Sequence, residues 1–211
     1  MTAIVHLSND VFKLVLVGKY ADKRVVIRFG LPAMAAAFVG ASLLVRISTF
    51  APITSYSIGD HVFQVLPVKA LIGFLLVGFA VFEIIPRFSK WQVSSRYLPL
   101  GGVLSGFFGG LSGHQGALRS LFLARSGLTK ESFIATGSVI ACLIDVTRLT
   151  VYAQHFLSAG LSANITVLVA ATLSAFTGAY VGRHLLKKVT MQTIQYVVAA
   201  GLIVVGVLLG V

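Results

Sequence analysis

Two long stretches of the sequence contain no acidic or basic residue, and they limit the fold more than any other feature. Residues 149–182 lack Asp, Glu, Lys and Arg, and so do residues 189–211. Uncharged apolar runs of about 18 residues or more are typical of membrane-spanning helices. Charged residues make up 11% of the 211 residues, against about 25% in a soluble domain. The sequence therefore predicts an all-α fold, a polytopic bundle of transmembrane helices.

Six or seven apolar segments can be marked, at residues 3–17, 29–47, 62–85, 98–123, 132–153, 161–182 and 191–211. The formal net charge is +11, but Lys and Arg are concentrated in short loops between these segments. The positive-inside rule assigns such loops to the cytoplasm. The basic charge therefore reflects topology in a lipid bilayer, and we expect no nucleic-acid partner.

The segment at residues 98–123 has basic loops on both sides, which a single crossing of the membrane would not produce. Its sequence is rich in glycine: Gly101, Gly102, Gly106, Gly109, Gly110, Gly113 and Gly116. Glycine suits a broken helix or a re-entrant helical hairpin, and we favour a hairpin that enters and leaves on the cytoplasmic side. The alternative is an ordinary helix packed through the small-residue stripe formed by Gly102, Gly106 and Gly110.

The chain contains a weak internal repeat. "NDVFKLVLVGK" resembles "IDVTRLTVYAQ", which pairs Asp10 with Asp145 and Lys13 with Arg148; further on, "AAFVGASLLVR" resembles "SAFTGAYVGRH". We predict a first repeat at residues 1–88, a cytoplasmic linker at 89–98 and a second repeat at 99–211. The charge pattern gives the two copies opposite orientations, and such inverted repeats are typical of secondary transporters. The first copy has no counterpart of the glycine-rich hairpin, so we expect that the sequence lacks its natural N-terminal hairpin or descends from a protein that had one.

Two acid–base pairs lie inside apolar segments. Asp145 and Arg148 are one helical turn apart on one face, and ionisable residues in membrane helices suggest a functional site. Arg148 would bind an anionic substrate, and Asp145 would release it or carry a coupling proton. A structural ion pair is the alternative, and the same choice applies to Asp10 and Lys13.

Further candidates follow the hairpin glycines. If the chain turns near residues 112–116, free backbone N–H groups would face the bundle interior and could bind an anion. The substrate-binding residues predicted in this region are Ser112, His114, Gln115 and Arg119. Asn9, beside Asp10, would face the same cavity. A hydrogen bond that stabilises the hairpin and an Arg119 side chain that reaches the lipid headgroups are the structural alternatives.

The stretch "GGVLSGFFGGLSGHQGALRSLFLARSGLTKESFIATGSVIACLIDVTRL" resembles the second-half signature of the TauE/SafE family, also called the 4-toluenesulfonate uptake permease family. The opening "TAIVHLSNDVFKLVLVGKYADKRVVIRFGLPA" resembles that family's first half after its first glycine motif. This resemblance implies a multi-pass protein of the bacterial inner membrane that carries sulfite, sulfonates or related organic anions, coupled to the proton gradient. Two departures, the absent first glycine motif and "SGHQG" at residues 112–116, leave room for a different anion.

The leading functional hypothesis is a secondary transporter of a small anion. A membrane-embedded enzyme is disfavoured because the chain has no HExxH or GxSxG motif and no His or Cys cluster. We therefore expect no catalytic residues, no metal and no cofactor. A non-transporting or incomplete membrane subunit is the other alternative. The sequence leaves the oligomeric state open, with a homodimer among the options.

Overall fold

Eight helices occupy most of the residues that the computed structural model describes, which are 2–58, 61–85, 94–123, 126–158, 165–185 and 191–210. They are α1 Thr2–Val17, α2 Lys23–Ser48, α3 Pro67–Ile84, α4 Leu98–Ser112, α5 Gly116–Leu123, α6 Lys130–Ser158, α7 Ile165–Leu185 and α8 Met191–Gly210. Short 3₁₀ turns follow α1 at Gly18–Tyr20 and precede α4 at Ser95–Tyr97. The prediction of an all-α fold is confirmed.

A small β-hairpin between α2 and α3 was not predicted from the sequence. Strands β1 (Thr54–Ile58) and β2 (His61–Val65) pair antiparallel, and the rings of Tyr56 and Phe63 stack with centroids 5.5 Å apart. The predicted start of a helix at residue 62 is wrong, because residues 62–65 belong to β2. Helix α3 begins instead at Pro67, since proline is well tolerated at the first helical position, where no N–H is needed.

Helix α2 begins six residues earlier than the apolar pattern indicates. Asp22 caps it: the Asp22 carboxylate accepts a hydrogen bond of 2.9 Å from the N–H of Val25. The Asp22 N–H in turn donates to the hydroxyl of Thr136 on α6, also at 2.9 Å. The first turn carries Lys23 and Arg24 and passes into a π-helical segment, Val26–Gly30. Because these residues are charged, the first turns of α2 do not belong to the apolar segment found in the sequence.

The described chain divides into two compact units. One comprises Met1–Ala41 and Gln92–Val189, and the other comprises Ser42–Trp91 and Thr190–Val211. Each unit therefore draws on both predicted repeats, and the boundaries proposed for the repeats stay a prediction; residues 89–93 of the predicted linker lie outside the described residues. In the second unit, α3 packs along α8.

In the first unit, three glycines on α4 bring it into backbone contact with α2. A Cβ atom at any of them would overlap backbone atoms of α2, in the pairs Gly102 with Phe29, Gly106 with Ala33, and Gly110 with Ala37. The small-residue stripe noted in the sequence thus forms the contact with α2. An adjacent face of α4 meets α5, because a Cβ at Gly101 would overlap the Phe122 ring.

Two helices are long and apolar enough to cross a membrane, Lys23–Ser48 and Lys130–Ala153. Shorter apolar helices cover Pro67–Val81, Ile165–Gly178 and Tyr196–Leu208. This search concerns the described residues alone. Parts of the basic loops that support the predicted orientation, at residues 86–93, 124–125 and 186–190, lie outside them.

The glycine contact makes a first prediction. We expect Gly106→Ala to lower stability by about 1–3 kcal/mol, because its Cβ forces α2 and α4 apart. The matched control is Gly178→Ala in α7, where a Cβ meets nothing within 4 Å; it should be neutral or slightly stabilising. Thermal unfolding in detergent measures both variants. Equal unfolding midpoints for the two variants would show that α2 and α4 can move apart without loss of stability.

Candidate anion site

The helix break between α4 and α5 is built by local hydrogen bonds. Gly113 adopts φ +84°, a left-handed conformation that favours glycine, and its N–H donates to the Gly109 carbonyl at 2.9 Å. The Ser112 hydroxyl donates to the Phe108 carbonyl at 3.0 Å and accepts from the His114 N–H at 3.3 Å. The Ser112 hydroxyl is therefore engaged in forming the turn.

Helix α5 returns along α4 after this break. The Ser105 hydroxyl of α4 donates to the Gln115 carbonyl at 3.3 Å, and a Cβ at Gly109 would lie 3.1 Å from the Gln115 Cβ. With the Gly101–Phe122 contact, these contacts run in opposite order along the two helices, so the pair is antiparallel. The first N–H groups of α5 have no partner within the helix, since its first internal bond goes from the Arg119 N–H to the Gln115 carbonyl.

Arg148 of α6 lies against this turn. Its Nη1 atom is 2.9 Å from Oδ1 of Asp145, and the two side chains are only 4% and 2% exposed. The guanidinium would lie 3.1 Å from a Cβ at Gly113. The Tyr152 ring lies beneath it, with its centroid 5.7 Å from the Arg148 Cζ, and the Tyr152 hydroxyl donates to the Gly110 carbonyl at 3.1 Å. Arg148 is thus held by a carboxylate, an aromatic ring and the hairpin turn.

The second predicted pair lies on α1, which packs along α6. Lys13 Nζ is 2.9 Å from Oδ1 of Asp10. The Asp10 side chain is 12% exposed and that of Lys13 is 40% exposed. The two pairs share the same spacing and bond length, but the pair on α1 is the more accessible of the two.

Arg119 of α5 is a second buried cation. A Cβ at Gly137 of α6 would lie 3.4 Å from the Arg119 Nε, so the guanidinium rests on a residue without a side chain. Asp10 and Asp145 are close enough to act on Arg119 electrostatically. Gly137 lies eight positions before Asp145 on α6, which is about 12 Å along the helix axis.

Four buried side-chain atoms in the described residues have no hydrogen-bond partner: Asn9 Oδ1, Gln115 Oε1, Arg119 Nη1 and Arg148 Nε. All four belong to residues that the sequence analysis named. Native proteins leave few buried polar groups unpaired, and those that remain require an explanation such as a ligand. Two of the four are donors on cations, which is the chemistry that recognises an oxyanion.

The nine predicted residues lie on α1, on α6, or at the turn between α4 and α5 and the start of α5: Asn9, Asp10, Lys13, Ser112, His114, Gln115, Arg119, Asp145 and Arg148. His114 stands at the turn, with Nδ1 3.2 Å from the Ser112 carbonyl oxygen. Sequence reasoning missed Tyr152 and Gly137. The spacing of Tyr152, four residues after Arg148, was an available signal, whereas nothing in the sequence marked Gly137.

No group of three or more His, Cys, Asp or Glu side chains in the described part of the chain is arranged to hold a metal ion. The helices expose many large apolar side chains, among them Val15, Phe74 and Leu208, whereas Asp10, Asp145 and Arg148 are buried. An apolar exterior around an ionisable interior is typical of a membrane transporter.

The chain belongs to the sulfite exporter TauE/SafE family, whose match covers residues 2–209. The predicted family membership is therefore confirmed, and with it the assignment of the chain to the membrane transporters. Comparisons with curated proteins and with solved structures gave no match.

A second prediction distinguishes the left-handed conformation of Gly113 from its contact with the Arg148 guanidinium. Gly113→Ala should strain the left-handed turn and also press on the Arg148 guanidinium. Gly127→Ala is the matched control, because Gly127 has φ +70° and no atom within 4 Å of a Cβ. We expect the control to lose about 1–2 kcal/mol from backbone strain and Gly113→Ala to lose more. Thermal unfolding in detergent compares them; equal losses would mean that the Arg148 contact contributes nothing to stability.

Proposed function

We propose that the chain is a secondary transporter that carries a small oxyanion, such as sulfite, a sulfonate or a related organic anion, across the bacterial inner membrane. The substrate would bind at the turn between α4 and α5, facing Arg148. Family membership supports the transporter class and the general anion class. The choice of substrate within that class, the direction of transport and the multi-pass inner-membrane location belong to the proposal.

One observation carries the site: a buried arginine whose Nε has no partner lies against a backbone turn. Asp145 holds one end of the guanidinium by Nη1, so the remaining donors stay oriented. A neighbouring helix start adds backbone N–H donors and a favourable dipole for negative charge. Together these groups present donors to an anion from two directions.

We further propose that α4 and α5 form a re-entrant hairpin. Helix α4 has 15 residues and α5 has 8, which corresponds to lengths of about 22 Å and 12 Å. Neither length reaches the roughly 30 Å of a hydrocarbon core. A broken helix is tolerated at membrane depth when protein surrounds it, and α2 and α6 both contact this one.

Inverted repeats are a third part of the proposal. The repeat pairs Asp10–Lys13 with Asp145–Arg148, and both pairs form ion pairs of 2.9 Å on helices that pack together. The last helices of the two repeats, α3 and α8, also pack together within the second unit. Substrate sites of inverted-repeat transporters lie between the copies, and α1 and α6 belong to different copies.

Proton coupling would use the carboxylates of this cluster. Oδ1 of Asp145 accepts a hydrogen bond from Arg148 Nη1. An anion that arrives at Arg148 would compete with Asp145 for this guanidinium. The proposal therefore couples substrate binding to the charge state of Asp145. Asp10 and Arg119 lie within electrostatic range of Asp145 and take part in the same balance.

Flux measurements in proteoliposomes test the proposed function. Sulfite, sulfate and simple sulfonates would be supplied with and without an imposed pH gradient. We expect saturable flux of one anion that responds to the gradient. Arg148→Gln should reduce that flux by about 30-fold or more, as expected when one member of a buried charge pair is removed. Asp145→Asn should reduce it as well.

Arg28→Gln is the matched control, because Arg28 is an exposed cation on α2, and its flux should stay within about twofold of the unaltered protein. Size-exclusion profiles and reconstituted amounts establish that each variant is folded and inserted. Normal flux in both Arg148→Gln and Asp145→Asn would reduce the pair to a structural role. Absence of flux for every anion tested with well-inserted protein would refute the transporter assignment.

A further inference from the structure

His114 occupies the middle of "SGHQG", one of the two departures from the family pattern. Its Nδ1 lies 3.2 Å from the carbonyl oxygen of Ser112. A carbonyl oxygen can only accept a hydrogen bond, so the hydrogen of this contact belongs to Nδ1. In the neutral ring, Nε2 then carries no hydrogen and presents a lone pair. The turn itself therefore fixes His114 in the form that accepts a hydrogen bond at Nε2.

Nε2 of His114 is available to a ligand. Among the described residues, the side chain of His114 forms its hydrogen bond through Nδ1, and Nε2 forms none. Nε2 does not belong to the buried side-chain atoms that lack a partner in this part of the chain, so water can reach it. A lone pair that is both unbonded and accessible can accept a hydrogen bond from a bound molecule.

The neighbouring cation supplies the opposite chemistry. A Cβ at Gly113, the residue before His114, would lie 3.1 Å from Nη1 of Arg148. The His114 ring and the Arg148 guanidinium are close enough to interact electrostatically. A second positive charge beside this guanidinium is unfavourable, which favours the neutral ring. The turn thus offers a hydrogen-bond acceptor beside a set of charged donors, and a guanidinium itself has no acceptor.

Other acceptors near this turn are less suited to a ligand. Asp10 and Asp145 are each bound to a cation at 2.9 Å. His6 of α1 acts electrostatically on His114 and on Arg148, but no hydrogen bond in the described part of the chain fixes which of its ring nitrogens carries the hydrogen. The geometry therefore singles out His114, whose ring is oriented by the backbone of the turn.

We propose that His114 determines the specificity of the anion site by accepting a hydrogen bond from a hydroxyl group of the substrate. The inference rests on the proposed function. An oxyanion that keeps one O–H group places its charged oxygens at Arg148 and its hydroxyl at Nε2 of His114. Hydrogensulfite in its O–H form and singly charged phosphonates have such a group, whereas sulfonates do not. The site therefore prefers hydroxyl-bearing oxyanions to sulfonates of the same charge.

The test compares anions that match in charge and size and differ in one hydroxyl. Singly charged methylphosphonate carries an O–H group where methanesulfonate has a bare oxygen. Their affinities for the detergent-solubilised full chain would be measured by calorimetry at about pH 7, where an ordinary imidazole is mostly neutral. We expect methylphosphonate to bind about three- to tenfold more tightly, as one additional hydrogen bond predicts. The monomethyl ester of methylphosphonate, which has no O–H group, should lose this advantage.

Two variants separate the acceptor from the turn. His114→Asn keeps an N–H donor for the Ser112 carbonyl but has no acceptor where Nε2 lies, so methylphosphonate should lose its advantage over methanesulfonate. A preference that came from the turn alone, or from a doubly charged fraction of methylphosphonate, would survive in this variant. His6→Asn is the matched control and should keep the preference. Thermal unfolding in detergent shows that each variant is folded.

The outcomes separate the two proposals. Equal affinities of methylphosphonate and methanesulfonate for the unaltered protein, or a preference that persists in His114→Asn, would overturn the role of His114 and leave the anion site intact. A preference lost in His6→Asn and kept in His114→Asn would move the acceptor to α1 and overturn it as well. Failure of every anion to bind the folded protein would instead refute the proposed function.

Discussion

Backbone contact between α4 and α2 is the constraint on which the rest of the first unit depends. Within a bilayer, helices gain little from the hydrophobic effect and associate through close packing instead. Gly106 and its two neighbours in the stripe allow that packing by leaving no side chain between the helices. With α4 fixed against α2, the adjacent face of α4, which includes Gly101 and Gly109, packs against α5. The turn that joins α4 to α5 then falls beside Arg148.

The buried ion pair is a poor explanation for stability by itself. Removing two charges from water costs more than their attraction returns in many proteins, and apolar replacements are often at least as stable. Asp145 and Arg148 nevertheless lie almost fully buried, next to a turn that only glycine fits well. The Arg148 Nε, buried without a hydrogen-bond partner, adds a further desolvation cost. A cluster so unfavourable in isolation is better explained by a ligand that completes it.

Much of this arrangement follows from the sequence because it is local. The spacing of Asp145 and Arg148 placed both side chains on one helical face, and the glycine content of residues 101–116 marked the unusual segment. The first turns of α2 escaped prediction because Lys23 and Arg24 interrupt the apolar pattern. The β-hairpin was missed although Gly59-Asp60, a dipeptide typical of hairpin turns, follows Ile58, because the apolar Val62 and Phe63 were assigned to the next helix.

Other features depend on pairs of residues far apart in the chain. No local sequence pattern indicates that Arg119 packs against Gly137, or that the Asp22 N–H donates a hydrogen bond to the hydroxyl of Thr136. Such contacts appear only when α5 and α6 are packed against their neighbours.

The local pairing on α1 has a consequence for how the protein is made. Helix α1 ends at Val17 and α6 begins at Lys130, so α1 leaves the ribosome about 110 residues before its packing partner. At synthesis rates of about 5–20 residues per second, that delay is roughly 5–20 s. During this interval α1 must be accommodated with both of its ionisable side chains and without α6. Because Asp10 and Lys13 are one turn apart, they form their ion pair within α1 itself, and this neutralisation requires no residue of α6.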